Sequence, residues 1–298
     1  MSREIQVGER LGEQVADWYL AGHRDLPWRH PDFPAWGILI SEFMLQQTPV
    51  ARVIPRLDEW LARWPTPADL AAVPPGEAVR AWDRLGYPRR ALSLHGAATA
   101  IAERHANRVP SDVDELLALP GVGPYTARAV AAFAYGVRTP VVDTNARRVL
   151  ARVLGGQAEP GPPQTGRDLA AMEAVLPADA ERARLTNAGT MELGQTVCTA
   201  RSPRCEECPV AGLCAWRAAG YPDYEGARAP RQKKYEGSDR QVRGLILREL
   251  RAADIPVPAD TLSTLWPDAD QLERALAGLL RDGLLTGDPL DGYLLPLH

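Results

Sequence analysis

All four cysteines of the chain, Cys198, Cys205, Cys208 and Cys214, fall within one 17-residue stretch with the spacing C-x6-C-x2-C-x5-C. Four thiolates on so short a loop can wrap a single metal centre. Cysteine-only ligation suits either an iron–sulfur cubane or tetrahedral zinc. Structural zinc loops more often pair two short Cys-x-x-Cys knuckles, so this spacing favours the cluster. Disulfides are the remaining alternative. They suit secreted proteins, and residues 1–10 are polar with no apolar stretch of a signal peptide behind them.

At 298 residues the chain is long enough to bury a full core, in one large domain and a smaller one. It has no run of 18 apolar residues, so no membrane span is expected. A net charge of −4 speaks against a nucleic-acid partner, but the distribution of charge matters more than its sum. Arg201 and Arg204 sit inside the cysteine loop, and Arg228, Arg231, Lys233, Lys234, Arg240 and Arg243 follow. Of 34 basic residues only Lys233 and Lys234 are lysines.

Alanine and leucine dominate, and apolar residues recur at helical spacing with few alternating β-branched runs. This pattern predicts helices over 8–21, 35–47, 50–63, 76–82, 89–104, 113–117, 124–135, 144–154, 166–176 and 180–196. Short loops rich in Pro, Gly and Asp separate them, so residues 1–220, closed by the cysteine loop, read as an all-α domain. Residues 221–238 lack periodicity and read as a linker. Beyond it the pattern predicts helices over 239–252, 260–265 and 269–282 and strands over 284–286 and 293–297. That order describes a winged-helix-like module over 239–298. Such modules bind either DNA or protein, and the face of 269–282 carries only Arg274 and Arg281.

Three segments carry chemistry. Leu119-Pro120-Gly121-Val122-Gly123-Pro124-Tyr125-Thr126 joins two predicted helices. Pro124 presets the first helical φ, and Gly121 and Gly123 permit a tight turn, so unpaired amides face outward at a helix start. That is a phosphate site needing no basic side chain. An ordinary helical corner is the plainer reading of a bare Gly-x-Gly, but the full string with flanking helices is far rarer.

Glu42 is the single charge between Phe33 and Val50, set among Ile38, Leu45 and Gln46 on its helix. Apolar surroundings disfavour the ionised carboxylate and suit Glu42 to a general acid. A solvated helix glutamate would normally have other charges on its face. Asp143, in Val141-Val142-Asp143-Thr144-Asn145, stands where an extended approach meets a helix start. As an N-cap it needs no catalytic role, yet the same geometry would hold it ionised through amide hydrogen bonds. One protonated acid and one fixed anion form the pair that breaks a glycosidic bond through an oxocarbenium-like state.

Together these segments resemble the adenine DNA glycosylases (the MutY family) of the endonuclease III superfamily of helix-hairpin-helix iron–sulfur glycosylases. The matching strings are Asp25-Leu26-Pro27-Trp28-Arg29, Ser41 to Thr48, Leu85-Gly86-Tyr87, the Gly-Val-Gly-Pro-Tyr-Thr hairpin, Val142 to Asn145, Met191-Glu192-Leu193-Gly194 and the four cysteines. They span residues 8–220 in family order. The resemblance implies a glycosylase fold of two helical subdomains with a cleft, a [4Fe-4S] cluster on Cys198, Cys205, Cys208 and Cys214, and double-stranded DNA as partner. It implies an adenine flipped out of the duplex, mispaired with 8-oxoguanine or guanine. Glu42 would protonate N7 and Asp143 would stabilise the sugar cation, with Asn145 and Tyr125 organising the site. Trp28, Arg29, Leu45 and Glu192 would line the adenine pocket. Gln47, Thr48, Leu85 and Tyr87 would wedge the duplex, while Gly121, Gly123, Arg201 and Arg204 would hold phosphates.

Two departures bear on the chemistry. Relatives that open the sugar carry a hairpin lysine where this chain has Tyr125, so a monofunctional glycosylase is expected. The Nudix-like domain that reads 8-oxoguanine through a Phe-Ser-His loop is also missing. Only 84 residues follow Cys214, and Phe33, Phe43 and Phe133 all precede it. A thymine or uracil mismatch glycosylase on the same scaffold is the nearest rival. A non-enzymatic iron–sulfur DNA-binding redox regulator is the rival of another class. A monomer in the cytoplasm, at the nucleoid, is expected.

Overall fold

The structure is a computed structural model that describes residues 3–227 and 234–297. The linker residues Arg228, Arg231 and Lys233 lie outside the described residues. The chain runs through α1 (Arg3–Gly22), α2 (Ala35–Leu45), α3 (Val50–Arg63), α4 (Pro67–Ala71), α5 (Pro75–Trp82), α6 (Arg89–Arg104), α7 (Val113–Leu117) and α8 (Pro124–Tyr135). It continues through α9 (Thr144–Val153), α10 (Thr165–Glu173), α11 (Ala180–Thr196) and α12 (Ala215–Ala218). The last part holds α13 (Asp239–Ala252), α14 (Ala259–Ser263), α15 (Ala269–Arg281), β1 (Thr286–Asp288) and β2 (Gly292–Leu294). The protein is predominantly helical, as the periodicity requires.

Two compact units emerge, and neither is continuous in sequence. The first comprises 1–33, 111–113 and 124–230. In it α11 packs against both α1 and α9, around a core of Leu11, Val15, Val149, Val153, Met172 and Leu193. The cysteine loop lies against this core through Cys198, Cys208 and Cys214.

The second unit comprises 34–110, 114–123 and 231–298. Its centre is tryptophan. Trp36, Trp60, Trp64 and Trp82 are all buried, and Trp60 meets Trp64 and Trp82 edge-on at 4.9 and 5.6 Å. A buried indole must still place its N–H. Trp36 donates to the Trp64 carbonyl at 3.0 Å, Trp60 to Ala81 at 3.1 Å and Trp82 to Gly86 at 2.8 Å. These bonds tie α2, α3 and the end of α5 into one block.

The C-terminal module is built on this unit. Its helices and antiparallel β1–β2 pair follow the expected order, and the Gly76 amide donates to the Pro296 carbonyl at 2.8 Å. The strands fall at 286–288 and 292–294, not at 284–286 and 293–297. Leu284 and Leu285 are a buried approach instead. The Asp288 carboxylate accepts from the Leu290 and Asp291 amides and closes a tighter turn than the Gly-Asp-Pro-Leu-Asp-Gly string implied. Helix α4 was not expected from periodicity. Its five residues are too few to show a repeat, and a Thr66–Asp69 capping box sets it up.

Because Trp60 is 1 % exposed and stacks on two other indoles, Trp60→Ala should lower the unfolding free energy by about 3–5 kcal/mol. Urea unfolding followed by far-ultraviolet circular dichroism measures this.

Candidate active site and iron–sulfur loop

Asp143 is the N-cap of α9. Its Oδ1 accepts from the Ala146 amide at 2.7 Å, and its Oδ2 accepts from the Asn145 side-chain amide at 2.7 Å. The extended approach before it pairs with no strand. Asn187 of α11, fully buried, takes the Val141 amide at 2.9 Å and donates to the Thr139 carbonyl at 2.9 Å. Asn145 in turn accepts from Arg148 at 2.8 Å, and Arg148 donates to the carbonyls of Gly194 at 2.6 Å and Cys198 at 2.8 Å. A hydrogen-bonded path therefore joins the first cysteine to the Asp143 carboxylate. Gly194 makes this possible, because a Cβ there would stand 2.7 Å from the Asn145 carbonyl oxygen.

Asp143 is harder to ionise than its capping position alone implies. Although the residue keeps some exposure, burial of its carboxyl pushes the pKa above the ordinary carboxylate value. The amide bonds, Asn145 and the Arg148 charge pull in the other direction without cancelling that cost.

Glu192 of α11 is 2 % exposed and receives two guanidinium groups. Arg24 donates through Nε at 2.7 Å and Nη2 at 2.6 Å, and Arg29 through Nη2 at 2.7 Å. Burial alone would raise its pKa, but the two arginines hold it down to about 2. Arg29 also lies 5.1 Å over the Tyr19 ring and donates to the Arg24 carbonyl. Trp28, half-buried on the turn Pro27–Arg29, and Tyr125, packed with Ala129, Ala132 and Val141, belong to this same unit.

Glu42, Leu45, Gln47, Thr48, Leu85 and Tyr87 belong to the second unit. Glu42 is 6 % exposed in α2, where every residue from Trp36 to Met44 is buried. The helix stops at Leu45 because Gln46 leaves helical geometry and Gln47 takes φ 57°. Tyr87 also takes a positive φ, 48°, and its hydroxyl donates to Gln47 Oε1 at 2.6 Å. A positive φ costs free energy outside glycine and persists only where neighbours enforce it. Gln47 and Tyr87 are exposed, whereas Leu85 and Thr48 are buried, with the Thr48 hydroxyl donating to the Leu85 carbonyl at 3.0 Å. Only the first two therefore protrude, and the second two brace them.

Arg90 is the enforcing neighbour, and nothing in the sequence marks it apart from the other arginines. It donates to the carbonyls of Phe43 at 2.8 Å and Gln46 at 2.5 Å, which end α2, and to Gly86 at 3.0 Å. It lies 5.3 Å from both the Trp82 and Tyr87 rings, and burial lowers its pKa to about 10. Arg24 and Arg148 were likewise not expected. Their partners lie 168 and 50 positions away in the chain, so no local pattern signals them.

In the hairpin, Gly121 carries the load. It has φ 73°, and a Cβ there would meet the Ser93 Cβ at 2.4 Å. Gly123 has neither a positive φ nor a close neighbour, so it does not make the turn as expected.

The four cysteines are half-buried and all border one small cavity, with Val149, Val153, Leu193, Val197 and Val210 around it. Burial pushes the Cys208 thiol up to about 11, so without a metal it holds its proton, and a bound metal would have to displace it. Arg152, 3 % exposed, donates to Cys198 Sγ at 3.2 Å and to the Thr199 carbonyl at 2.8 Å. Sulfur-only donors, an apolar wall and an N–H aimed at sulfur fit an iron–sulfur cluster. Arg201 is exposed, while Arg204 donates to the Thr196 carbonyl and pairs with Glu207 at 2.8 Å.

Comparison with known proteins places this geometry. Residues 40–173 match the HhH-GPD superfamily of base excision DNA repair proteins, and residues 198–214 match the iron–sulfur binding domain of endonuclease III. The chain is 52 % identical to an adenine DNA glycosylase of Mycobacterium tuberculosis over 281 residues, 94 % of this chain and 91 % of that one. It is similar to the structure of a thermostable thymine-DNA glycosylase, with a TM-score of 0.66 and 28 % identity over 72 % of this chain and 98 % of that one. It is also similar to endonuclease III trapped in a covalent intermediate with DNA, with a TM-score of 0.62 and 26 % identity over 74 % of this chain and 100 % of that one. With a buried glutamate in α2, a capped aspartate at α9 and four thiolates for a [4Fe-4S] cluster, the chain belongs to the adenine DNA glycosylases, DNA-binding N-glycosylases of base excision repair.

Proposed function

We propose that the chain flips and excises adenine mispaired with 8-oxoguanine or guanine in double-stranded DNA, as a monomeric, monofunctional glycosylase of the cytoplasm. The observation that carries this reading is Glu42, a carboxyl group 6 % exposed in a helix buried on all sides. Burial favours the protonated form of a carboxyl group, which is the form a general acid needs. Glu42 gives its proton to N7 of the flipped adenine. The C1′–N9 bond then breaks with its electron pair leaving on the base. Asp143, as the anion, stabilises the sugar cation until water adds at C1′, and the products are free adenine and an abasic site. Asn145 and Tyr125 keep that region in order. Trp28, Arg29, Leu45 and Glu192 are the residues that contact the flipped adenine, Glu192 remaining anionic between its arginines.

Gln47 and Tyr87 are the residues that enter the duplex, supported by Thr48 and Leu85. Gly121, Gly123, Arg201 and Arg204 take phosphates. Cys198, Cys205, Cys208 and Cys214 would hold a [4Fe-4S] cluster, which would tie down the loop that carries the last two. Identity favours adenine over a pyrimidine target, at 52 % for the adenine enzyme against 35 % and 36 % for thymine and thymine/uracil enzymes.

Glu42→Gln should keep DNA binding but lose about 10²–10⁴ in single-turnover adenine release from a duplex holding adenine opposite 8-oxoguanine. Pyrimidine release alone, from duplexes with thymine or uracil opposite guanine, would overturn the reading.

The pH profile of that release should be bell-shaped, since Glu42 acts protonated and Asp143 ionised. The acid limb should lie above the ordinary aspartate range, because burial raises the Asp143 pKa. Arg148 favours the Asp143 anion, so Arg148→Gln should move the acid limb to still higher pH and leave the alkaline limb in place. An unmoved acid limb would separate Arg148 from Asp143 in function.

Formation of a Schiff base needs an amine, the hairpin slot is Tyr125, and both lysines of the chain lie at 233–234. Borohydride should therefore trap no appreciable enzyme–DNA adduct during adenine release. Efficient trapping would contradict a monofunctional enzyme.

A further inference from the structure

The second unit contains an open groove of about 1400 Å³ with α13 on one side and the protruding wedge segment on the other. Small-molecule sites enclose roughly 300–1,000 Å³ and are mostly apolar. This groove is larger and differently made: ten arginines line it, against one carboxylate, Asp83. On α13, Arg240, Arg243, Arg248 and Arg251 recur at i, i+3, i+8 and i+11, one stripe of the helix. The opposite Val242–Ile246–Leu250 stripe is buried in the module. Arg52 and Arg84 face them across the groove, and Gln47, Leu85 and Tyr87 continue the same wall.

The state of these arginines matters as much as their number. Arg52 donates to the Arg84 carbonyl, Arg251 to the Val79 carbonyl at 3.0 Å and Arg90 to the carbonyls that end α2. A carbonyl fixes a guanidinium but leaves its charge in place. Carboxylates reach others, with Asp282 beside Arg243 and Arg89, Glu249 beside Arg248, Asp83 and Glu59 beside Arg56, and Glu77 and Asp254 beside Arg80. Net positive charge remains along the groove of a chain whose total is −4. The two walls are also held in register, since Arg80 donates to the Ala253 carbonyl at 3.0 Å and Gly76 to Pro296.

We propose that this groove binds the sugar–phosphate backbone of the DNA strand opposite the one whose adenine is excised, with α13 as the module's DNA-binding element. An open, arginine-lined groove matches a polyanion. The strand assignment rests on the function proposed above, because the wedge residues that would meet the opposite base form part of the groove wall itself. The helix that ordinarily enters DNA in a winged helix, α15, does not line the groove. The module thus binds backbone and not base edges.

The test is the salt dependence of binding by the full, cluster-loaded chain. The probe is a duplex with adenine opposite 8-oxoguanine, its target sugar 2′-fluorinated to block excision. Each phosphate contact contributes about 0.9 to the slope of log affinity against log salt. Arg240→Ala with Arg248→Ala, both exposed positions, should reduce the magnitude of the slope by about 2, and Arg84→Ala from the facing wall by about 1. Arg104→Ala with Arg108→Ala, an equal loss of charge outside the groove, should leave it unchanged. Equal slopes for groove and control variants would overturn the proposal.

Neutral methylphosphonates placed in one strand at a time then identify the strand. Neutralising the opposite strand should weaken the parent protein more than the Arg240/Arg248 variant, and the reverse preference would overturn the strand assignment. Adenine release is scored separately on unmodified DNA. Its absence with the slope changes intact would fail the proposed function and spare the backbone groove; its presence without them would do the converse.

Discussion

A guanidinium donating to main-chain carbonyls recurs wherever this molecule must hold an irregular segment still. A helix leaves its last carbonyls without intrahelical donors, and an all-helical chain has many such ends. Arg90 takes the carbonyls that end α2, Arg148 and Arg204 take those that end α11, and Arg138 takes Leu176 and Pro177 beyond α10. Arg152 does the same for the start of the cysteine loop. Arginine suits this work because five N–H groups in a flat fork can serve several carbonyls at once, which three donors on a mobile lysine stem cannot. The near-absence of lysine thus has a structural consequence. Each of these ends would fray if its guanidinium were truncated.

The same bonds settle how a chain of net charge −4 meets DNA. A carboxylate partner offsets part of an arginine's field, whereas an arginine paired with carbonyls is positioned and keeps its full charge. The acidic residues are therefore less relevant than their placement. Glu192 is the instructive contrast. There the carboxylate is the buried partner, two arginines converge on it, and the product is a fixed anion held to about 2 in place of a cationic surface. One residue type builds both a phosphate-facing field and a buried ionic site, depending only on what accepts its hydrogen bonds.

What the sequence displays follows from range. Helices with an apolar stripe over several turns were legible, as were the cysteine spacing, the hairpin glycine Gly121 and the isolated charge of Glu42, because each is a local pattern. Arg24, Arg90 and Arg148 were not, since their significance lies in carbonyls and carboxylates brought near by folding, and arginine is everywhere in this composition. Leu85 and Thr48 were placed with the protruding residues because they share a string with them. Burial divides that string in a way alternation does not show. Asp143 was read as an N-cap whose amide bonds would also hold a catalytic anion, and the burial that raises its pKa has no local sequence pattern. The first strand lies two residues later than expected and the second starts one residue earlier, because an aspartate side chain, not the glycines, closes the turn.

Arg90 also links two functions that the chain places six residues apart or fewer. Helix α2 carries Glu42, and its end, Gln46–Gln47, is the start of the wedge; Arg90 bonds that end and the Gly86 carbonyl on the facing turn. The positive φ of Gln47 and Tyr87 is a cost the fold sustains at this one place. On the function proposed above, insertion of the wedge into a duplex would push on residues that cannot relax without breaking the Arg90 bonds. The load would pass to α2, which is buried along nearly its whole length. Whatever opened the duplex would then also set where the Glu42 proton is offered. Positioning of that proton would belong to the block formed by α2, Arg90 and the Leu85–Tyr87 turn, and not to the glutamate alone.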